Sequence, residues 1–145
     1  MKVAHGIKIS LFVKPEDTKD YASKLHELVP LDFEKEKITI DTTMASSFED
    51  RKIEISEINL TKEKHIKVFL ENLIPKLDAK TLEKQLETRL DSENNFFLRL
   101  DKDKLLEGKY ELTDSGNCFH VKLTIAAFPK SRENAIKVVK TILQL

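Results

Sequence analysis

Lys8, Phe12, Arg99, His120 and Lys122 fall at alternate positions of three strand-like runs, residues 7–13, 96–101 and 118–128. Strand side chains alternate between the two faces of a sheet. If Ile7, Ile9 and Leu11 point to a core, Lys8, Ser10 and Phe12 share the opposite face. By the same logic Phe119, Val121, Leu123 and Ile125 point inward, leaving His120, Lys122 and Thr124 outward. In 96–101 alternation alone leaves open whether Phe97 and Arg99 or their neighbours join that outer face. Cations set among flat rings on an open sheet can meet phosphates while bases stack on the rings. An equally simple account has Phe12 and Phe97 covered by a loop or a second subunit, with the cations keeping the face solvated.

Lys130 and Arg132 flank Ser131 at an expected helix start, where backbone N–H groups and the helix dipole favour a phosphate. Ordinary capping by Ser131 explains the same pattern. Lys102, Lys104 and Lys109 sit beside Asp101, Asp103 and Glu107, the pattern of surface ion pairs worth little energy.

No catalytic set is visible. His5, His26, His65 and His120 lack metal-ligand spacing, and Cys118 two residues from His120 has no third group to orient the pair. Cys118 reads as a small, partly buried strand residue. Phosphate-cradling glycine loops are absent, and Asp101, Asp103 and Asp114 match no calcium loop. The expectation is a non-enzyme without cofactor or metal.

The 145 residues suit one domain, 1–145, able to bury roughly two-thirds of its unfolded surface. Lysine plus arginine and aspartate plus glutamate both number 25, so no global excess favours a polyanion. From Phe96 onward nine basic residues face six acidic ones, a net of +3 that leaves −3 for the earlier part. One cysteine excludes an intramolecular disulfide, and no apolar run approaches the roughly 18 residues of a membrane span. A soluble cytoplasmic protein without membrane contact is expected.

The elements that must hold these side chains follow from periodicity. Residues 7–13 form a strand, and Pro15 opens a helix with Tyr21, Leu25 and Leu28 on one face that stops before Pro30. Strands are expected within 33–42 and 52–58, with a mobile loop at 43–50 between them. Thr61 caps a helix to Ile74, Pro75 ends it, and Asp78 caps a second helix with Leu82, Leu86 and Leu90 inward and Arg89 among the solvent-side charges. Residues 96–101 form a strand, 108–113 and 118–128 a hairpin around Asp114-Ser115-Gly116-Asn117, and a last helix from Ser131 places Ala135, Ile136, Val139, Ile142 and Leu143 on one face. The order β-α-β-β-α-α-β-β-β-α implies an α+β two-layer sandwich, a largely antiparallel sheet with helices on one face.

The string Leu98-Arg99-Leu100-Asp101-Lys102, then Gly108, Ser115-Gly116-Asn117, Val121-Lys122 and Ala126-Ala127-Phe128-Pro129 with Arg132, resembles an archaeal family described as RNA-binding proteins or predicted exosome subunits. The likeness spans nearly the whole chain, taking in the opening strand and Phe69-Leu70-Glu71. It implies a fold similar to the large-subunit ribosomal protein that binds 5S RNA, association with RNA, and no catalytic residues. The family pattern has a glycine-containing loop after its second strand; residues 43–50 contain none, so close backbone approach to phosphate is not expected there. The reading is a small RNA-binding protein, accessory to RNA processing with exosome or ribosome-associated proteins. Its surface would include Arg99, Lys102, Lys122, Lys130 and Arg132 beside Lys8, Phe12 and His120. The alternative is a protein-interaction or scaffold module, a homodimer through the open sheet face or an exposed strand edge.

Overall fold

Alternating apolar residues make β1 (Ala4–Val13) the central strand of a sheet, paired antiparallel on both sides. The computed structural model describes residues 2–46 and 51–144. Its sheet has the order β2-β3-β1-β5-β4, with β2 Asp41–Ser46, β3 Lys52–Leu60, β4 Asn95–Asp101 and β5 Cys118–Ile125. Six helices accompany it among the described residues: α1 Thr18–Leu28, α2 Phe33–Glu36, α3 Glu63–Leu73, α4 Ala79–Gln85, α5 Lys102–Leu106 and α6 Arg132–Leu143. This is the expected α+β two-layer arrangement.

The core lies between sheet and helices. Ile7, Ile9, Leu11, Phe96, Leu98, Phe119 and Val121 are buried from the strands, and Leu25, Phe69, Leu82, Leu86, Leu90 and Val139 from the helical layer. Burial of Phe96, Leu98 and Leu100 turns Phe97 and Arg99 to the other side, resolving the choice that alternation left open.

Several local expectations are corrected. The strand expected within 33–42 begins only at Asp41, because Asp32 accepts from the Lys35 N–H at 3.1 Å and starts α2. Thr43–Ser46, expected as loop, continue β2 by pairing with β3, and Ser47–Asp50 lie outside the described residues. Residues 108–113 are no hairpin strand: Asp101 accepts from Lys104 N–H at 2.9 Å and nucleates α5, Gly108 closes the turn at φ +79°, and only Leu112 bridges Leu100. Strand β5 ends at Ile125, three residues before Phe128. Lys62 rather than Thr61 precedes α3, without a side-chain cap.

The outer edge of β4 is covered by turns. Phe97 N–H donates to Arg89 O and Asp101 N–H to Glu111 O, while Arg99 O accepts from Thr113 N–H. Asp91 shapes the turn into β4, its Oδ1 accepting from the Glu93 and Asn95 N–H groups at 2.9 and 2.8 Å.

The face assignment predicts unequal costs of truncation. Leu98→Ala should cost about 2–5 kcal/mol, because the side chain is fully buried and leaves a cavity. Phe12→Ala should cost less than about 1 kcal/mol, since that ring is 45% exposed on the other face. Urea midpoints compare the two, and equal losses would contradict the assignment.

Candidate nucleic-acid interface

The antiparallel register brings five of the sequence-derived candidates onto the helix-free face of the sheet. Lys8 on β1 lies directly opposite Lys122 on β5, and Ser10 opposite His120. On the other side of β5, Lys122 faces Phe97 and His120 faces Arg99. Phe12 stands two positions beyond Ser10 on the same face of β1. The Phe97 and His120 rings pack with centroids 5.4 Å apart at 42°, a tilted pair continuous with the cations.

Like charges directly opposite on neighbouring strands repel. Lys8 has a partial counterion, Glu57 on β3, at 3.4 Å across a half-exposed contact. The gathering of charge is legible in His120, whose pKa is lowered first by burial and then by Arg99, Lys122 and Lys8. Its imidazole is held toward the neutral form by burial, with the cations around it acting in the same direction. The β2–β3 end of the same face carries an acidic pair, Asp41 opposite Glu57. Among the described residues the cations of this face therefore gather over β1, β5 and β4, while β2 and β3 add one acidic pair among Thr43, Ala45, Ile53, Ile55 and Asn59.

The other three candidates take different positions. The Lys102 ammonium donates to Phe12 O at 2.6 Å and lies 5.2 Å from the Tyr21 ring centre, and burial lowers its pKa. It ties α5 to the end of β1. Arg132 donates to the carbonyls of Leu90, Asp91 and Glu87 at 3.0, 3.3 and 2.7 Å, closing the segment that follows α4. Lys130 is exposed at the entry to α6, where Ser131 caps the Asn134 N–H at 3.1 Å as expected.

Two side chains escaped the sequence reading. Arg89, expected among solvent-side charges, has a side chain only 9% exposed, because β4 packs against this turn, with Phe97 N–H donating to Arg89 O. Phe128, 75% exposed, stands edge-on to His5 at 5.7 Å. The apolar run 118–128 hid it, since the strand ends earlier. Cys118 is buried, and burial raises its thiol pKa. Among the described residues no group of three metal-ligating side chains gathers, and no helix is long and apolar enough to cross a membrane.

A family model described as RNA binding matches residues 6–127. The RNA-binding protein PAB1135 of Pyrococcus abyssi is 26% identical over 145 residues, with 97% of this chain and 94% of that protein covered. Among solved structures, AF2318 of Archaeglobus fulgidus is 28% identical with a TM-score of 0.84, covering 97% of this chain and 99% of the other. Mth689 of Methanothermobacter thermautotrophicus is 27% identical with a TM-score of 0.79, covering 98% and 99%.

The lowered His120 pKa carries a sign. The folded state binds fewer protons than the unfolded chain, so stability rises with pH across the interval. The contribution is complete above the ordinary histidine value of 6.5 and is lost as pH falls from there through the lowered folded value. Thermal melts of wild type and His120→Gln across this range should diverge, with wild type losing more on acidification. Arg132→Ala should lower stability by about 1–2 kcal/mol through three lost carbonyl contacts; an unchanged melting temperature would remove its structural role.

Proposed function

The chain belongs to this RNA-binding family, and from that premise we propose that it binds RNA on the helix-free face of its sheet. The observation that carries the reading is the cross-strand row in which Lys122 stands between Lys8 and Phe97, with Arg99 and His120 beside it. Lysines and arginine neutralise phosphates, and the Phe97–His120 pair offers a surface on which a base can stack. The half-exposed Phe12 extends that surface along β1. The protein acts by binding rather than by catalysis, in the cytoplasm, as an accessory to RNA processing with exosome or ribosome-associated proteins. Support for the accessory role is the family resemblance. Co-purification of the tagged protein with those assemblies, compared before and after ribonuclease treatment, tests it, and their absence from both samples would remove it.

A second reading is favoured by β2, whose outer edge carries no described strand and whose Met44 is 55% exposed. An open edge invites pairing with another strand. In that reading the chain is a homodimer or scaffold, and light scattering at increasing concentration decides: a constant monomer mass removes the dimer.

For the first reading, fluorescence titrations against short single-stranded RNA, an RNA hairpin and matched DNA at several salt concentrations should give saturable RNA binding that weakens linearly with log salt. Joint replacement of Lys8 and Lys122 by alanine should weaken it and reduce the salt slope by about 1 per lost phosphate contact. Unchanged affinity and slope would move the interface off this face.

A further inference from the structure

The margin of the basic face beside β4 opens into a cavity of 360 Å³ lined by Gln85, Thr88, Arg89, Phe97, Arg99 and Asp114. Its wall is an arginine withdrawn from water. The Arg89 guanidinium donates through Nε at 2.9 Å and Nη2 at 2.5 Å to Gln85 Oε1, and Nη1 reaches Phe97 O at 3.5 Å. These partners are neutral. The one carboxylate within 4.0 Å of it among the described residues is Asp114, whose Oδ1 stands at that limit and whose side chain is 94% exposed. Arg99 comes from the adjoining strand position and donates through Nη1 to Asp114 O at 3.2 Å. A second positive charge thus shares the cavity with the first.

A cation removed from water needs a close counter-charge, and a carboxylate at 4.0 Å immersed in solvent compensates poorly. Burial and the neighbouring Arg99 both lower the Arg89 pKa, while Asp114 raises it. Paired guanidiniums fit the oxygens of a phosphate, which they can hold by parallel N–H donors. The Phe97 ring forms part of the cavity lining and packs with His120 on the open face, so a base next to that phosphate has a ring to stack on.

We propose that this cavity anchors one phosphodiester of a single-stranded RNA between Arg89 and Arg99, with the adjoining base on the Phe97–His120 pair, and that Asp114 competes with the phosphate. The proposal rests on the RNA-binding reading and adds to it the strand type and an anchor outside the Lys8–Lys122 row. Single strands are specified because a paired base cannot turn onto a protein ring. Asp114 gives the site an unusual property: neutralising a side chain improves it.

Asp114→Asn deletes an exposed charge and leaves the backbone carbonyl that Arg99 uses. Single-stranded RNA should bind this variant about two- to fivefold more tightly, and the RNA hairpin should show no such gain. Arg89→Lys keeps the charge and loses the fork, so single-strand affinity should fall about tenfold. Thermal melts monitor its folding, and the Asp114→Asn arm keeps the test decisive if that variant is unstable. Glu71→Gln, the same charge change on exposed α3, serves as the reference. A gain with Asp114→Asn no larger than with Glu71→Gln, while the Lys8 and Lys122 double variant loses binding, would overturn the anchor and leave the RNA reading standing. Failure of the wild type to bind any RNA would overturn both. Titration with inorganic phosphate alone separates the sources of the anion: a gain for phosphate without one for RNA would assign a small-anion site and refute the strand anchor.

Discussion

The register of β1 against β5 is the constraint on which both faces of the sheet depend. Ile7, Ile9 and Leu11 lie opposite Leu123, Val121 and Phe119, and all six side chains are buried under the helices. The positions between them then carry Lys8 opposite Lys122 and Ser10 opposite His120. A slip of one residue in either strand would turn its cations into the apolar layer and its isoleucines or valine to water. Burying ammonium groups without partners costs several kcal/mol each. The core therefore fixes which face carries the cations by excluding every odd slip of register, and the row needs no attraction of its own to lie there.

The two edges of the sheet are treated differently, and the difference positions the cavity. On β4 the turn after α4 supplies a carbonyl to Phe97 N–H and Leu90 to the core, and in doing so carries Arg89 to the strand edge. Arg132 grips three carbonyls of that turn from the start of α6, and Asn94 adds a side-chain bond to Ser131 O at 3.3 Å. A residue with the chemistry of a phosphate ligand thus holds in place the segment that bears another. On β2, by contrast, the described residues leave one side of the backbone unpaired by any strand.

Legibility in the sequence followed the range of the physics. Period-two alternation exposed four of the five strands, and Asp78 and Ser131 announced their helices because a side-chain oxygen one turn from its N–H acts locally. The outer-face residues Lys8, Phe12, His120 and Lys122 were legible for the same reason. Asp101 shows where local reading can mislead: it ends a strand and caps α5, and residues 108–113 carried enough β-forming character to suggest a hairpin that the cap forecloses. The sequence presents Lys102 as a surface ion-pair residue and Arg132 as a helix-start cation because their partners lie 90 and more than 40 residues away, at Phe12 O and the turn after α4. Arg89 keeps a helical bond, its N–H donating to Gln85 O at 3.0 Å, but nothing near it in the chain foretells that Phe97 will pair with its carbonyl.

Charge balance bears on how a polyanion would meet such a surface. The chain as a whole carries 25 basic and 25 acidic groups, so it offers no net attraction at long range. At physiological salt, exposed charges more than about 8 Å apart are screened from one another. What an approaching strand senses is the local half-face: Lys8, Lys122, Arg99 and the Arg89 margin on one side, Asp41 and Glu57 on the other. Capture by overall charge would be indifferent to orientation. The cations favour backbones running over β1, β5 and β4, since the described residues of β2 and β3 place no cation on this face. Neutrality of the whole and polarity of the part together favour a small, oriented footprint, with shape and stacking left to discriminate among the strands that reach it.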